Sequence, residues 1–215
     1  MAVRADDFTV PPDTGHFPGS GMEQFHHPRP VCAGDRPTPQ RRRLLAGLAG
    51  RVVEIGAGDG VKLTCYPADV EEIVLVEADP FLRAAAKAVA ASLATPARII
   101  DGDLTRLPVP DASCDAVVCS LILCCAPRTA ETLLEVRRVL RPGGELRFYE
   151  HQRSGRRVTA LAGSLMTPLW SRVSGGCHPA RDTVAAIQHA GFVVGSLDRF
   201  AFRHVTHVLG VARPV

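Results

Sequence analysis

The sequence predicts a single α/β domain, Rossmann-like, with a seven-stranded, mostly parallel sheet that ends in an antiparallel hairpin. Helix-like and strand-like hydrophobic periods alternate from residue 41 onward, which indicates βα units and therefore parallel strands. The segment 116–121 is continuously apolar, as expected of a strand that is buried on both faces. Two strand-like segments, 192–200 and 204–211, close the chain, and their direct succession indicates a hairpin.

Each element has its own local signal. The helix 80–93 begins at Pro80, and proline is favoured in the first helical turn. The helix 129–140 carries apolar side chains on one side and ends before Pro142, and Gly191 ends the last helix. In chain order the predicted elements are helix 40–48, strand 51–56, strand 72–77, helix 80–93, strand 97–101, strand 116–121, helix 129–140, strand 145–150, helices 156–173 and 180–190, and the two closing strands.

The predicted domain spans residues 41–215, and residues 1–40 are predicted to form a largely irregular arm or lid, because they contain seven prolines. The formal net charge of +3 is small and no basic helix accompanies it, so we expect no nucleic-acid partner. No apolar run reaches the roughly 18 residues of a membrane-spanning helix. With no export signal and seven scattered cysteines, reduced thiols and a cytoplasmic location are expected.

The stretch 52–60, which reads VVEIGAGDG, predicts a ligand site. An apolar strand runs into glycines at alternate positions, where a backbone can turn tightly and a ligand can approach closely. A dinucleotide fingerprint requires a further glycine where Val61 stands, so a nicotinamide-dependent oxidoreductase is disfavoured. Glu54 precedes the turn, and Glu77 ends the next apolar run, 21 residues after Gly56. Glu77 is therefore placed to accept hydrogen bonds from both hydroxyls of a ribose.

Four segments, in the right order, resemble the class I S-adenosylmethionine-dependent methyltransferases. VVEIGAGDG at 52–60 resembles the first motif, and VLVEADP at 74–80 resembles the segment with the ribose-binding acid. GDLTRLP at 102–108, followed by CDAVV at 114–118, is similar to the adenine-side loop and the fourth strand. LRPGGEL at 140–146 is similar to the turn before the fifth strand.

The resemblance implies S-adenosylmethionine as cofactor. The backbone after the first strand would face its methionine carboxylate, and the carbonyl near Ser120 would meet its ammonium group. Asp103 would accept from the adenine amine, with Leu104 packed on the ring; Asp103 is preferred over Asp101 because it follows Gly102 in the family's order. The predicted cofactor-binding residues are Glu54, Gly56, Ala57, Gly58, Gly60, Glu77, Ala78, Asp103, Leu104 and Ser120.

Segments further along resemble one methyltransferase subfamily, which includes the membrane-associated thiol S-methyltransferases of animals. They are VCSLILCC at 118–125, FYEH at 148–151 and GCHPARDT at 176–183. The resemblance implies a small-molecule acceptor, with a thiol as first choice. The animal enzymes carry an N-terminal hydrophobic anchor where this chain has a polar, proline-rich arm, so membrane association is the least transferable property. The alternatives are methylation of an oxygen, nitrogen or carbon centre in a secondary metabolite or quinone precursor, and a non-catalytic S-adenosylmethionine-binding protein.

The candidate catalytic base is His151, at the end of the fifth strand, with Glu150 and His178 also at the expected mouth of the site. A histidine that only orients the loop by hydrogen bonding explains His151 equally well. Cys124 and Cys125 follow the fourth strand and could bind a soft metal or metalloid. Without a third thiol at suitable spacing, we expect no metal site and two pocket-lining cysteines; Cys177 is the nearest candidate third thiol.

Overall fold

The computed structural model describes residues 38–155, 177–202 and 205–215. Almost all of the predicted arm, 1–40, and the predicted helix 156–173 lie outside these ranges and stay predictions. In chain order the elements are α1 (Pro39–Leu45), β1 (Gly50–Ile55), a 3-10 turn (Leu63–Cys65), β2 (Val70–Val76), α2 (Pro80–Ala90), β3 (Ala97–Ile100), β4 (Cys114–Ser120), α3 (Thr129–Val139), β5 (Leu140–His151), α4 (Thr183–His189), β6 (Phe192–Phe202) and β7 (Val205–Pro214).

The seven strands form one sheet in the order β3-β2-β1-β4-β5-β7-β6. β1 pairs in parallel with both β2 and β4, and β3 and β5 extend the parallel part on either side. The strand order therefore reverses at β1 and β4, and in sheets of this kind ligands bind beyond the carboxyl ends of the strands at that point. The parallel α/β fold that the sequence predicts is confirmed.

The predicted closing hairpin is also confirmed. β7 pairs antiparallel with both β5 and β6. Gly210 on β7 lies opposite Phe148 on β5. A Cβ atom at position 210 would lie 2.6 Å from both Phe148 Cζ and the Ser196 carbonyl oxygen, so only glycine fits between the two neighbouring strands. The antiparallel pairing of β5 with β7 joins the hairpin to the parallel part of the sheet.

Five element boundaries differ from the prediction by three or more residues. α1 ends at Leu45 and α2 at Ala90, each three residues early, and β7 ends at Pro214, three residues late. The other two are the starts of β5 and α4. β5 begins at Leu140 because the chain becomes extended as soon as α3 ends, and Leu140 already pairs with Cys114 of β4. The residue before a proline is biased away from the helical conformation, which explains the early exit ahead of Pro142. α4 begins at Thr183 because the carboxylate of Asp182 caps it, accepting from the Ala185 amide at 3.0 Å.

Helices cover both faces of the sheet. On one face, Val53 and Ile55 of β1 pack in a core with apolar residues of α3 and α4. On the other face, Val52 packs with residues of α1 and α2. Adjacent residues of β1 thus serve opposite cores, as the alternation of a strand requires. Within the described ranges, no helix is long and apolar enough to cross a membrane.

Candidate functional site

The glycine turn after β1 lies at the point where the strand order reverses. Gly56, Gly58 and Gly60 all adopt positive φ angles, of 60°, 67° and 77°. Gly56 and Gly60 are also closely packed: a Cβ at Gly56 would lie 2.5 Å from Ile122 Cδ1, and one at Gly60 would lie 3.0 Å from Ala86 Cα. Gly58 differs, because a Cβ there would meet no atom within 4 Å. The turn therefore leaves open space above its middle glycine, with the buried Ala57 beside it.

Glu77 follows β2 and reaches across to this turn. Its Oε2 accepts a hydrogen bond from the Gly58 amide at 2.7 Å, and its Oε1 accepts from the Asp79 amide at 3.0 Å. The side chain is only partly buried, as is its neighbour Ala78. Each carboxylate oxygen can accept more than one hydrogen bond, so both keep capacity for a ligand. The structure thus brings Glu77 and the glycine turn together, as the spacing predicts.

Glu54 has a different environment. Its side chain is almost fully buried, and Oε1 forms an ion pair with Lys62 Nζ at 2.7 Å while Oε2 accepts from the Tyr66 hydroxyl at 2.6 Å. Burial, together with the charge of Glu54, raises the pKa of Tyr66 well above its ordinary value, so the phenol remains a donor. Together, these three buried or partly buried side chains stabilise the glycine turn after β1. Sequence reasoning missed the role of Lys62, although it is one of only two lysines in an arginine-rich chain.

The loop after β3 places Asp101 and Asp103, the two aspartates considered in the sequence analysis, in different environments. Asp103 Oδ1 accepts from both the amide and the hydroxyl of Thr105 at 2.8 Å, which closes a tight turn. Asp101 is exposed and forms an ion pair with Arg83 at 3.0 Å. Leu104 is partly buried and packs against the core that includes residues of α3. The half-buried Asp103 is therefore held in one orientation, whereas Asp101 faces solvent.

The carboxyl end of β4 contains an unpaired polar atom and a strained residue. The Ser120 hydroxyl is buried and has no hydrogen-bond partner among the described residues. The next residue, Leu121, has a φ of 58°, in the left-handed region that side chains rarely adopt. Strained backbone and unsatisfied buried groups often occur where a protein meets a ligand. Neither feature has a signal in the sequence.

Glu150 anchors the loop that follows β4. Its carboxylate is fully buried and accepts from three successive amides: Ile122 and Leu123 at 3.0 Å, and Cys124 at 3.1 Å. Burial raises the pKa of Glu150, and the three N–H groups oppose that rise. Both carboxylate oxygens are engaged in holding the backbone. Glu150 therefore acts as a structural anchor, and among the candidates at the mouth it is the one least available as a base.

His151 lies beside a group of three cysteines and contacts two of them. Its Nδ1 is 3.3 Å from Cys124 Sγ and 3.0 Å from Cys177 Sγ. Cys124 Sγ is 3.7 Å from Cys125 Sγ and 3.9 Å from Cys177 Sγ. Hydrogen bonds from Cys124 and Cys125 lower the pKa of the Cys177 thiol, and the contact with Cys125 raises the pKa of Cys124. The fold thus supplies the third thiol whose position the sequence left open.

The segment around His178 is tied to the same loop. Its amide donates to the Cys124 carbonyl at 2.9 Å. Arg181 donates to the carbonyls of Leu123 and Ala126 at 2.6 and 2.7 Å. The described part of GCHPARDT therefore fixes the carbonyls of the same loop whose amides Glu150 holds.

Comparison with known proteins shows which family the chain resembles. A methyltransferase domain family matches residues 53–148, from the second half of β1 to the last third of β5. The chain is 32% identical to thiol S-methyltransferase TMT1B of Rattus norvegicus over 154 residues, and 31% identical to its Homo sapiens counterpart over 160 residues. These matches cover 69% and 72% of this chain and 63% and 66% of those proteins. The chain thus spans slightly less than two thirds of the relatives it matches.

Solved structures agree on the fold. An S-adenosylmethionine-dependent methyltransferase from Mesorhizobium loti superposes with a TM-score of 0.62 over 81% of this chain and 96% of its own, at 18% identity. The trans-methyltransferase CalH, solved with S-adenosylhomocysteine, gives 0.58 over 78% of this chain and 52% of its own, at 21% identity. The [4+2]-cyclase SpnF gives 0.63 over 81% and 79%, at 17% identity. The shared fold thus serves more than one reaction.

Proposed function

Because residues 53–148 belong to a methyltransferase domain family, we propose that the protein transfers a methyl group from S-adenosylmethionine to a small-molecule acceptor, with a thiol as first choice. One observation carries this proposal: the carboxylate of Glu77 accepts a hydrogen bond from the amide of Gly58, and the space next to Gly58 is open. A site of this form suits a nucleoside next to an amino-acid carboxylate. The thiol is favoured by the likeness to two thiol S-methyltransferases.

The residues present fit this cofactor. The space above Gly58 admits a ligand that a side chain would displace, and the unpaired Ser120 hydroxyl lies at the same edge of the sheet. We assign the ribose hydroxyls to Glu77, the adenine amine to Asp103 and the ammonium group to the carbonyl near Ser120. When bound, the cofactor supplies an electrophilic methyl group, which the acceptor takes while a neutral thioether is left behind.

The other predicted residues complete this assignment. Gly56 and Gly60 hold the turn in its conformation through close packing, and Glu54 braces it from within through Lys62. Ala57 and Ala78 have side chains small enough to let a ligand approach the backbone beside them, and Leu104 offers an apolar contact to the adenine ring.

The acceptor requires little acid–base help if it is a thiol, whose pKa is near 8.5. We retain His151 as the candidate base. Its Nδ1 faces the sulfurs of Cys124 and Cys177, so the nitrogen that takes the acceptor's proton would be Nε2. A histidine that only orients the loop would make the same contacts, so kinetic measurements are needed to distinguish this role from that of the base.

We further propose that the protein works in the cytoplasm on a small molecule and not on a nucleic acid. The six cysteines of the described ranges are all free thiols, which suits a reducing compartment. Several arginines on the surface are neutralised by carboxylates, as in the pairs Arg43–Asp198 and Arg213–Glu145. Such pairing leaves little excess positive charge for a phosphate backbone.

Two measurements test the proposal. Calorimetry of the purified protein with S-adenosylmethionine should give saturable heat at one site per chain, and absence of heat would refute the cofactor assignment. A panel of an alkyl thiol, a phenol, an amine and a quinol is then assayed for release of S-adenosylhomocysteine. Turnover of the thiol supports the first choice. Turnover of the phenol or quinol with none of the thiol would overturn that choice and keep the methyltransferase.

A further inference from the structure

Three buried cysteines lie beside the candidate base and take no part in the cofactor site as assigned. We name Cys124, Cys125 and Cys177 the thiol cluster; their sulfur atoms lie within 4.8 Å of one another. They pack on one another, apart from the cores on the two faces of the sheet. Buried cysteines usually act as small apolar side chains within such a core. A separate group that contacts an imidazole nitrogen therefore needs another explanation.

Within the thiol cluster, Cys177 makes the closer contact with His151. Its Sγ is 3.0 Å from Nδ1, whereas Cys124 Sγ is 3.3 Å from the same nitrogen. A separation of about 3.0 Å is usual for a nitrogen donor and an oxygen acceptor, and sulfur is the larger atom. Hydrogen bonds to ionised groups are shorter than those between neutral groups. The geometry thus favours a hydrogen bond from Nδ1–H to an ionised sulfur.

The other two thiols of the cluster are placed to support a charge on Cys177. Contacts with Cys125 and then with Cys177 raise the pKa of Cys124, so this thiol keeps its proton and can donate it in a hydrogen bond. Cys124 Sγ lies 3.9 Å from Cys177 Sγ. Hydrogen bonds from Cys124 and Cys125 lower the pKa of Cys177, against the opposing effect of its burial. The cluster therefore holds one negative charge, on the sulfur that faces the imidazole.

We propose that Cys177 is a positioning residue for His151: its thiolate accepts the hydrogen bond from Nδ1–H and leaves Nε2 as the nitrogen that meets the acceptor. This inference rests on the proposed function, in which His151 is the base. His151 is only partly buried, as a base that meets an acceptor must be. In a serine–histidine–aspartate triad a buried carboxylate acts in the same way, because it holds the imidazole in one tautomer and stabilises the imidazolium.

The other titratable groups around the imidazole leave this role to Cys177. His207 of β7 meets the ring of His151 edge to face, with the ring centroids 4.7 Å apart. Burial, and then the charge of His151, lower the pKa of His207, so its ring is neutral at pH 7. Its Nδ1 lies 2.9 Å from the carbonyl of Val205, which can only accept a hydrogen bond. The carboxylate of Glu150, next to His151 on β5, is engaged with amides of the loop after β4.

The arrangement defines the path of the proton during transfer to a thiol. The S–H bond of the acceptor breaks as its sulfur forms the new bond to the methyl carbon, and the proton goes to Nε2. The carbon–sulfur bond of the methyl donor breaks with both electrons left on its sulfur. The imidazolium of His151 is stabilised by the thiolate of Cys177, and Nε2 then releases its proton to the buffer. Cys177 gains and loses no proton in this cycle.

The charge on Cys177 can be tested without turnover. The full chain is reduced with a phosphine, and its ultraviolet absorption is recorded at pH 7, since a thiolate has a band that a thiol lacks. We expect one thiolate per chain in the unmodified protein and none in Cys177→Ala. Cys65→Ser is the control, because Cys65 belongs to the 3-10 turn outside the thiol cluster, and it should keep the band.

Nitrogen NMR of protein with labelled histidine reports which ring nitrogen of His151 carries the proton. We expect the proton on Nδ1 in the unmodified protein. Two results for unmodified protein that unfolds cooperatively would overturn the proposal: absence of the thiolate band, or a proton on Nε2 with Nδ1 free. Neither result depends on whether a variant folds.

Kinetics separates a positioning role from a merely structural one. Cys177→Ser keeps an acceptor for Nδ1–H but loses the charge, so kcat for thiol methylation at pH 7 should fall at least about tenfold, since a positioned base contributes about 10²–10⁴. The acid limb of its pH–rate profile should move to lower pH by about one unit, because an opposite charge nearby shifts a titration by about 1–3 units. Cys65→Ser should keep both. A profile of Cys177→Ser that superposes on that of the unmodified protein would contradict the proposal.

Failure of this proposal and failure of the proposed function remain distinguishable. Absence of heat with S-adenosylmethionine would refute the cofactor assignment, whereas the thiolate band and the tautomer of His151 are measured without any ligand. Conversely, a missing thiolate band in protein that methylates a thiol would refute the role of Cys177 and keep the methyltransferase.

Discussion

The carboxylate of Glu77 accepts a hydrogen bond from the amide of Gly58 at 2.7 Å. This contact joins the tip of β2 to the middle of the turn after β1, at the point where the strand order reverses. It aligns the acid that we assign to the ribose with the backbone that we assign to the methionine carboxylate. The first two predictions examine the two ends of this contact.

Glu77→Ala should weaken S-adenosylmethionine binding roughly ten- to hundredfold, because hydrogen bonds to a charged group contribute about 1.5–3 kcal/mol. Isothermal calorimetry measures the change. Glu71→Ala changes an exposed glutamate at the start of β2, the strand that Glu77 follows; it is the matched control and should bind as the unmodified protein does. Equal heat from Glu77→Ala and the unmodified protein would contradict the ribose assignment.

Gly58→Ala should abolish cofactor binding while the protein still folds. Its φ of 67° costs a side chain about 1–2 kcal/mol, but its Cβ would meet no protein atom within 4 Å. Gly143→Ala is the matched control, since Gly143 has a φ of 82°, equally open surroundings and a position near the amino end of β5, away from the carboxyl ends of the strands. Thermal unfolding should show similar losses in both variants, and calorimetry should show lost binding only in Gly58→Ala. Retained binding there would refute the open space as a ligand site.

Asp103→Ala should weaken cofactor binding by about 1.5–3 kcal/mol, and Asp101→Ala should leave it unchanged. The exposed Asp101 is paired with Arg83, whereas Asp103 is half-buried and held by Thr105. Thr105→Val serves as a control, because it removes the hydroxyl donor at 2.8 Å and keeps the carboxylate. The reverse result for the two aspartates would show that the register of this loop is shifted by two residues.

His151→Ala should lower the rate of thiol methylation at neutral pH if His151 is the base. The rate should recover as the pH rises past the thiol's own pKa, near 8.5, because the acceptor then ionises without help. A pH–rate profile at saturating cofactor checks this. An unchanged rate at pH 7 would leave His151 with a purely structural role, that of orienting the loop.

Glu150→Gln should destabilise the protein by about 1–3 kcal/mol, because an amide can no longer accept from all three N–H groups of the loop. For a chain of this size the melting temperature should fall by roughly 2–4 °C for each kcal/mol. Differential scanning calorimetry measures it. Glu131→Gln, exposed in the first turn of α3, is the control and should have little effect. A melting temperature of Glu150→Gln equal to that of the control would contradict the anchoring role.

Much of the fold followed from the sequence, because its signals are local. The continuous apolar run before Ser120 indicated a strand buried on both faces, and the glycines at 56, 58 and 60 indicated a turn of positive φ. The interval between Gly56 and Glu77 reflects the length of one crossover between parallel neighbours. For the same reason the acid and the turn could be expected to meet, and the structure brings them into contact.

The contacts between distant side chains were decided only by the tertiary structure. Glu150 was expected at the mouth as a possible base, yet it is turned inward onto the amides of a loop 26–28 residues earlier. Cys177 had no suitable spacing to Cys124, yet the fold brings their sulfurs to 3.9 Å across 53 residues. Hydrophobic period and backbone conformation are properties of neighbouring residues and can be read along the chain. Which side chains share one buried volume depends on how the elements pack, and sequence separation does not encode it.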